Sequence, residues 1–239
     1  MQLEIPCRFA GPPAMGHGGY VAGLLAEQTD GGVQVTLRRP IPLDLPLDLG
    51  EVAPQRYVLR QGGEVLVESE PVRLDLAVPA PPTRKEAAEA APSSPSFWEG
   101  GGVHPVCFGC GASRSEGDGL RIFAGPVGEV GGSEQVAALW RPPTDLADRG
   151  GQIERRWVVA ALDCPGAFAY LTQGVKAGLL GRIVFEQTGP VVAGDEYIVT
   201  GWRVARDGKK LIAGTALSDA SGALVARARA VWFPMASSS

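Results

Sequence analysis

The feature that most constrains this chain is a pattern that occurs twice. An apolar segment at helical spacing is followed by a strand, a proline-containing bend and strands joined by tight glycine turns. In the first copy the helical segment runs from Tyr20 to Gln28, after an alternating stretch in which Leu3, Ile5, Cys7 and Phe9 would share one face. Val33 to Arg39 reads as a strand, with Val33, Val35 and Leu37 on one side. A bend at Pro40-Ile41-Pro42 and strands at about 55–60 and 64–77 follow, the last two turning at Gly62-Gly63. In the second copy, strands near 119–124 and 134–140 precede a long apolar helical stretch from Ile153 to Gln173. Strands at 181–187, 195–206, 210–218 and 223–233 then turn at Gly189-Pro190, Asp207-Gly208 and Ser221-Gly222. The bend Leu37-Arg38-Arg39-Pro40-Ile41-Pro42 corresponds to Glu186-Gln187-Thr188-Gly189-Pro190-Val191. A helix followed by a strand meander, twice, predicts α+β architecture: a curved antiparallel sheet with a helix on its inner face in each copy.

Residues 79–98 divide the copies. Their first eighteen positions hold no aromatic side chain, and the prolines favour extended, solvated backbone. The segment is therefore expected to link two domains, 1–78 and 99–239. The balance of 45% hydrophobic and 20% charged residues supports a packed core.

Several function classes are disfavoured at once. The net charge of −4 comes without a basic stripe, so no nucleic-acid partner is expected. No apolar run approaches the length of a membrane-spanning helix, and the first residues, Met1 to Pro6, lack the pattern of a leader. A cytoplasmic, reducing compartment is the expectation, in which four cysteines are too few for a disulfide scaffold. There is no Gly-x-Ser-x-Gly elbow, no P-loop, no dinucleotide Gly-x-Gly-x-x-Gly and no His-Glu-x-x-His.

The run from His17-Gly18-Gly19-Tyr20 to Ala26 resembles the helix start of hot-dog thioesterases, and Arg39-Pro40-Ile41-Pro42-Leu43 resembles the strand and bend that follow it. Cys107-Phe108-Gly109-Cys110-Gly111 with Gly119-Leu120 resembles the opening of some hot-dog domains, and Ala160-Ala161-Leu162-Asp163-Cys164-Pro165-Gly166 their central helix. The resemblance implies two tandem hot-dog domains, each a curved sheet wrapped around a central helix. It also implies an acyl-CoA partner, a site at the seam between the domains, no cofactor, and tandem chains that are open to pairing as homodimers.

The glycine-led helix start carries the first candidate site. Amides of a first helical turn lack intrahelical acceptors, and the helix dipole adds positive character there. Gly18, Gly19 and Tyr20 are expected to hold a thioester oxygen as it gains negative charge. His17 either orients substrate or caps the helix. Glu27 follows on the same helix, one place beyond Ala26, where one branch of the family carries an Asp. Asp163 is the stronger carboxylate, because a charge in the run Trp157 to Leu162 is costly without a task, although it could also cap a helix begun at Pro165. Cys164 reads as a buried apolar residue. His104-x-x-Cys107-x-x-Cys110 has metal-like spacing, but it is one knuckle that Cys7 or Cys164 would have to complete, so no metal is expected.

Three functions compete on this reading. The foremost is hydrolysis of an acyl-CoA thioester by Asp163 or Glu27. The others are a non-catalytic module binding acyl-CoA or another hydrophobic carboxylic ligand, and a dehydratase of 3-hydroxyacyl thioesters pairing His17 with Asp163.

Overall fold

The computed structural model describes residues 1–99 and 103–234. The expected start of a second domain at residue 99 abuts residues 100–102, and its last residues, 235–239, also lie outside the described residues. In chain order the strands are β1 (Gln2–Leu3), β2 (Val33–Leu37), β3 (Leu47–Ala53), β4 (Arg56–Gln61), β5 (Glu64–Pro71) and β6 (Gly125–Val130), then β7 (Ser133–Trp140), β8 (Leu179–Gln187), β9 (Tyr197–Asp207), β10 (Lys210–Asp219) and β11 (Leu224–Phe233). The helices are α1 (Gly18–Ala26), α2 (Arg84–Ala90), α3 (Arg155–Ala161) and α4 (Cys164–Leu171).

The strands form one continuous antiparallel sheet in the order β1-β3-β4-β5-β2-β8-β11-β10-β9-β7-β6. Its middle is the pairing of β2 with β8, from Val33 opposite Phe185 to Thr36 opposite Arg182. Outward from that pairing the two halves repeat one connectivity, β2-β5-β4-β3-β1 and β8-β11-β10-β9-β7, with β6 added at one edge. The repeat reaches fine detail. A short 3-10 turn lies at Cys7–Phe9 and again at Thr144–Leu146. Isolated bridges follow at Ala10 with Gly16 and at Ala147 with Ile153, so corresponding residues are 137 apart. Gly16 and Ile153 each donate to the carbonyl of the apolar residue in the following bend, Ile41 and Val191.

The core lies between the concave sheet and the helices. Val33, Val35, Ile183 and Phe185 point inward from the central strands, against Val21, Leu25, Val158 and Leu162. Helices α1 and α3 run antiparallel at the centre, since Gly19 faces Val159 and Asp163 while Gly23 faces Arg156. A Cβ on Gly23 would lie 2.4 Å from the Arg156 Cα. The Gly19-x-x-x-Gly23 spacing clears one stripe of α1, so two backbones meet where side chains ordinarily keep them apart.

Strand β5 ends at Pro71, short of the expected 77, and the chain then packs on the outer face of the second half: Leu74 and Leu76 are buried against Val184, Trp202 and Ala216, and Arg227 donates to both of their carbonyls. The segment expected to be a solvated linker continues on that face. Helix α2 follows, opened by a capping box in which Thr83 and Glu86 exchange hydrogen bonds, and Ala87 packs on Ala137 and Ile198. The prolines bend the chain, but alanine, glutamate and lysine after a capping threonine favour helix. This cover explains why β9 is buried at six consecutive residues, Tyr197 to Trp202, instead of alternating.

Other expectations also change. The alternation from Leu3 to Phe9 is not one strand: β1 ends at Leu3, and Pro6 precedes the 3-10 turn. Residues 119–124 do bury Leu120, Ile122 and Ala124 in alternation. They are not a strand, however, because Gly119 and Arg121 take positive φ and the segment bonds to Phe108 and Gly109. Strand β3 has no counterpart among the expected strands, while the apolar helical stretch from Ile153 is divided at Leu162–Asp163 into α3 and α4, at the kink or helix start that Pro165 leads one to expect at Asp163. Among the described residues no helix is long and apolar enough to cross a membrane.

Gly23→Ala is expected to lower stability by about 2 kcal/mol or more, as overpacking at a backbone contact does. Gly50→Ala, where an added Cβ meets nothing within 4 Å, should change it by less than about 0.5 kcal/mol. Urea denaturation of both variants checks this, and equal midpoints would show that the helices do not depend on that contact.

Candidate active site

Helix α1 starts where the first half meets the second. His17 is its N-cap, buried, and its Nδ1 accepts from the Tyr20 amide at 3.1 Å. This bond places the neutral imidazole proton on Nε2. The Gly19 amide donates to Asp163 Oδ2 at 2.7 Å, across the seam and 144 residues away in sequence. His17 Nε2 lies 3.4 Å from the same oxygen. Asp163 is 3% exposed, and its Oδ1 is buried without a partner.

The sequence alternatives for Asp163 resolve on this geometry. It is the residue before α4, yet its side chain makes no cap bond to that helix and reaches back to α1 instead. Gly19 is what permits the approach, since a Cβ there would sit 2.6 Å from the Asp163 Cβ and 2.9 Å from the Val159 oxygen. Burial pushes the Asp163 carboxyl up to about 6, opposed by His17 and by the Gly19 amide. For His17 burial disfavours charge, but Cys107 and Asp163 outweigh it and raise the imidazole above its ordinary range.

A cavity of about 300 Å³ opens beside this cluster. Its wall includes His17, Gly18 and Asp163 together with Met15, Leu37, Ile41, Leu180 and Phe233, so both halves contribute and most of the lining is apolar. A second cavity of about 470 Å³ shares Leu37, Arg38, Arg39, Gly181 and Phe233 with it and adds Arg182 and Lys210. The two cavities thus share a wall, and the second is the more cationic.

Four of the six expected site residues come together here: His17, Gly18, Gly19 and Asp163. The expected role of the amides narrows, because those of Gly19 and Tyr20 are engaged by Asp163 and His17. Gly18 lines the cavity, and its first-turn amide has no acceptor among the described residues. The Tyr20 ring lies away from the cavity, stacked on Phe9 at 4.3 Å. Glu27 is likewise elsewhere, at the far end of α1, where its Oε1 accepts from the Arg156 side chain at 2.8 Å and from the Arg156 amide at 3.1 Å. Burial pushes its carboxyl up, and Arg156 pulls it back. A nine-residue helix separates its two ends by about 13 Å, so a carboxylate at its close cannot serve a site at its start.

Sequence reasoning did not place Cys107 or Cys164 in the site, yet both line the first cavity. Their sulfurs are 3.8 Å apart, and Cys164 Sγ is 3.6 Å from His17 Nε2. The sequence showed the cysteines but not their meeting, since 57 residues separate them.

No family model matches the sequence, and no curated protein matches it. Solved structures do share its fold along nearly the whole chain. The TesB protein of Mycobacterium avium subspecies paratuberculosis is similar over 98% of this chain and 92% of its own, with 14% identity and a TM-score of 0.66. A protein from Novosphingobium aromaticivorans assigned as a thioesterase matches over 98% and 95%, with 13% identity and a TM-score of 0.64. A protein with the hot-dog fold from Alicyclobacillus acidocaldarius matches over 98% and 92%, with 10% identity and a TM-score of 0.64. At these identities the likeness defines the fold: the chain has the hot-dog fold over its full extent.

Replacing Asp163 by Ala removes the acceptor from a buried amide and from the His17 ring. A loss of about 1–3 kcal/mol is expected, with Asp163→Asn costing less because its amide oxygen still accepts. Equal stability of the alanine variant and the parent in thermal unfolding would remove this bond from the account of the seam.

Proposed function

We propose that this chain, built throughout on the hot-dog plan, hydrolyses acyl thioesters of coenzyme A at the seam between its halves. The repeated connectivity supports reading it as two hot-dog domains in tandem, divided near residues 79–98. The four free thiols fit a reducing, cytoplasmic setting.

The observation that carries the reading is Asp163, a buried carboxylate held by the Gly19 amide in the wall of an apolar cavity. The acyl chain fits the apolar chamber, with its carbonyl at the start of α1. The adjoining groove, with Arg38, Arg39, Arg182 and Lys210, suits the phosphates of the carrier. Asp163 takes a proton from water as the oxygen bonds to the carbonyl carbon. The Gly18 amide and the helix dipole stabilise the resulting oxyanion. The C–S bond then breaks as the carbonyl reforms, and the proton returns from Asp163 to the departing sulfur, leaving a carboxylic acid and CoA.

A second reading has a specific observation in its favour. His17 and Asp163 face each other at 3.4 Å, as a dehydratase of 3-hydroxyacyl thioesters requires of its base and acid. Incubation with saturated and 3-hydroxyacyl-CoA panels separates the two, by free-thiol release for hydrolysis and by enoyl absorbance for dehydration.

Hydrolysis is expected, with Asp163→Asn lowering kcat roughly 100- to 10,000-fold while substrate binding persists, and Glu27→Gln leaving kcat near its parent value. Tight binding without turnover on any chain length would assign the chain to the non-catalytic acyl-CoA binders instead. The carrier is tested separately. Arg182→Ala with Lys210→Ala should raise KM for an acyl-CoA several-fold and leave KM for the phosphate-free N-acetylcysteamine thioester unchanged; equal effects on both would reject the cationic groove as a phosphate site.

A further inference from the structure

Three buried cysteines and His17 lie at the same seam, and hydrolysis by Asp163 does not use them. Cys107 and Cys110 flank a tight turn in which the Gly111 amide donates to the Cys107 carbonyl at 2.8 Å. Cys164 is the first residue of α4. Cys110, on the same turn as Cys107, is buried at 3% exposure. Cys107, Cys110, Cys164 and His17 are all at most 7% exposed. Three thiols and an imidazole converging at full burial are costly to leave as hydrogen-bonding groups alone.

The spacing of the atoms fits a tetrahedral metal ion. A tetrahedral zinc ion with Zn–S of about 2.3 Å and Zn–N of about 2.0–2.1 Å sets its sulfurs about 3.8 Å apart and each sulfur about 3.6 Å from the nitrogen. The Cys107–Cys164 and Cys164–His17 Nε2 separations are 3.8 and 3.6 Å. The ligand atoms of Cys107, Cys164 and His17 all lie within 4.8 Å of one another. A disulfide would need sulfurs at about 2.05 Å. Gly109, between the knuckle cysteines, has no room for a side chain, because its Cβ would sit 2.7 Å from His17 Nε2 and 2.9 Å from Cys164 Sγ.

We propose that Cys107, Cys110, Cys164 and His17 bind one zinc ion that clips together the loop 104–111, the start of α1 and the start of α4. Four protein ligands close the coordination sphere, so the ion is structural and does not activate water. Ligation through Nε2 moves the imidazole proton to Nδ1 and gives up the capping bond from Tyr20, a small loss beside a closed thiolate site. It also commits His17 to the metal. Asp163 is then the free acid–base group at the cavity, which favours hydrolysis over dehydration.

The test uses the full chain, expressed in zinc-supplemented medium and purified with thiols reduced. Native mass spectrometry and elemental analysis should give one zinc per chain. Before chelation only the exposed Cys7 should react rapidly with a thiol reagent; after chelation, without denaturant, all four cysteines should react. Cobalt replacement should give a tetrahedral spectrum with thiolate charge transfer. Cys110→Ser, which lies outside the cavity wall, should weaken zinc binding by more than the roughly 10- to 100-fold that loss of a ligand's supporting partner costs. A metal-free chain whose thiol reactivity and melting ignore the chelator would overturn the proposal, as would a Cys107–Cys164 disulfide in the reduced preparation. Loss of the cobalt spectrum in His104→Ala, with its retention in His17→Ala, would overturn the ligand set. The metal readouts need no turnover, so they stand or fall apart from the hydrolase reading.

Discussion

The contact between α1 and the α3–α4 pair is what the molecule is organised around. Two helices from different halves approach until backbone meets backbone, and they do so because Gly19 and Gly23 remove the side chains that would separate them. The same approach brings the Gly19 amide within 2.7 Å of Asp163. Packing and chemistry are thus set by one distance: whatever pushes the helices apart also releases the carboxylate. The sheet reinforces this geometry, since β2 and β8 pair directly across the same boundary.

Buried polar groups concentrate at one end of that helix contact, and the other end is closed. Around the end of α1, Glu27 pairs with Arg156, and Arg155 donates to the carbonyls of Thr29 and Gly31. Glu27 and Arg156 neutralise one another, while Arg155 rests on carbonyls and keeps its Nε buried without a partner; together they tie α3 to the end of α1. At the start of α1 the groups are incompletely satisfied: Asp163 Oδ1 and His104 Nε2 are buried without partners. Unpaired buried polar atoms cost stability and persist where a task retains them. Ion pairing thus holds the end of α1, whereas the carboxylate at its start faces a cavity.

The order of the helix and strands could be read in the sequence because turns and apolar periodicity are local signals. Asp163 was legible for the same reason, as a charge inside a run of apolar residues. What could not be read was which atoms an element presents to another. The strand expected at 119–124 is not formed, because two residues with positive φ divert the backbone. The prolines at positions 40, 42 and 46 hid β3, and those near 80 hid a capping box that was present as Thr83 and Glu86. Glu27 lies apart from the cluster because position along one helix does not bring its two ends together, and Glu27 closes α1 while His17 opens it. The cysteine knuckle was visible, but its companions lie 57 residues ahead and 90 behind, beyond the reach of any spacing rule.

The two halves share connectivity down to matching bridges 137 residues apart, and the consequences of their differences follow from position alone. At that offset Asp163 corresponds to Ala26, and Arg155 and Arg156 correspond to Gly18 and Gly19. A strictly repeated chain would have two equivalent seams, each with a glycine entry facing a carboxylate. Here the glycines stand only in the first half and the aspartate only in the second, so they meet once. At the opposite seam the arginines occupy the glycine positions and the carboxylate is absent, which turns the second potential site into the Glu27–Arg156 ion pair. One half thus supplies the amide, the other the acid, and neither is complete without its neighbour.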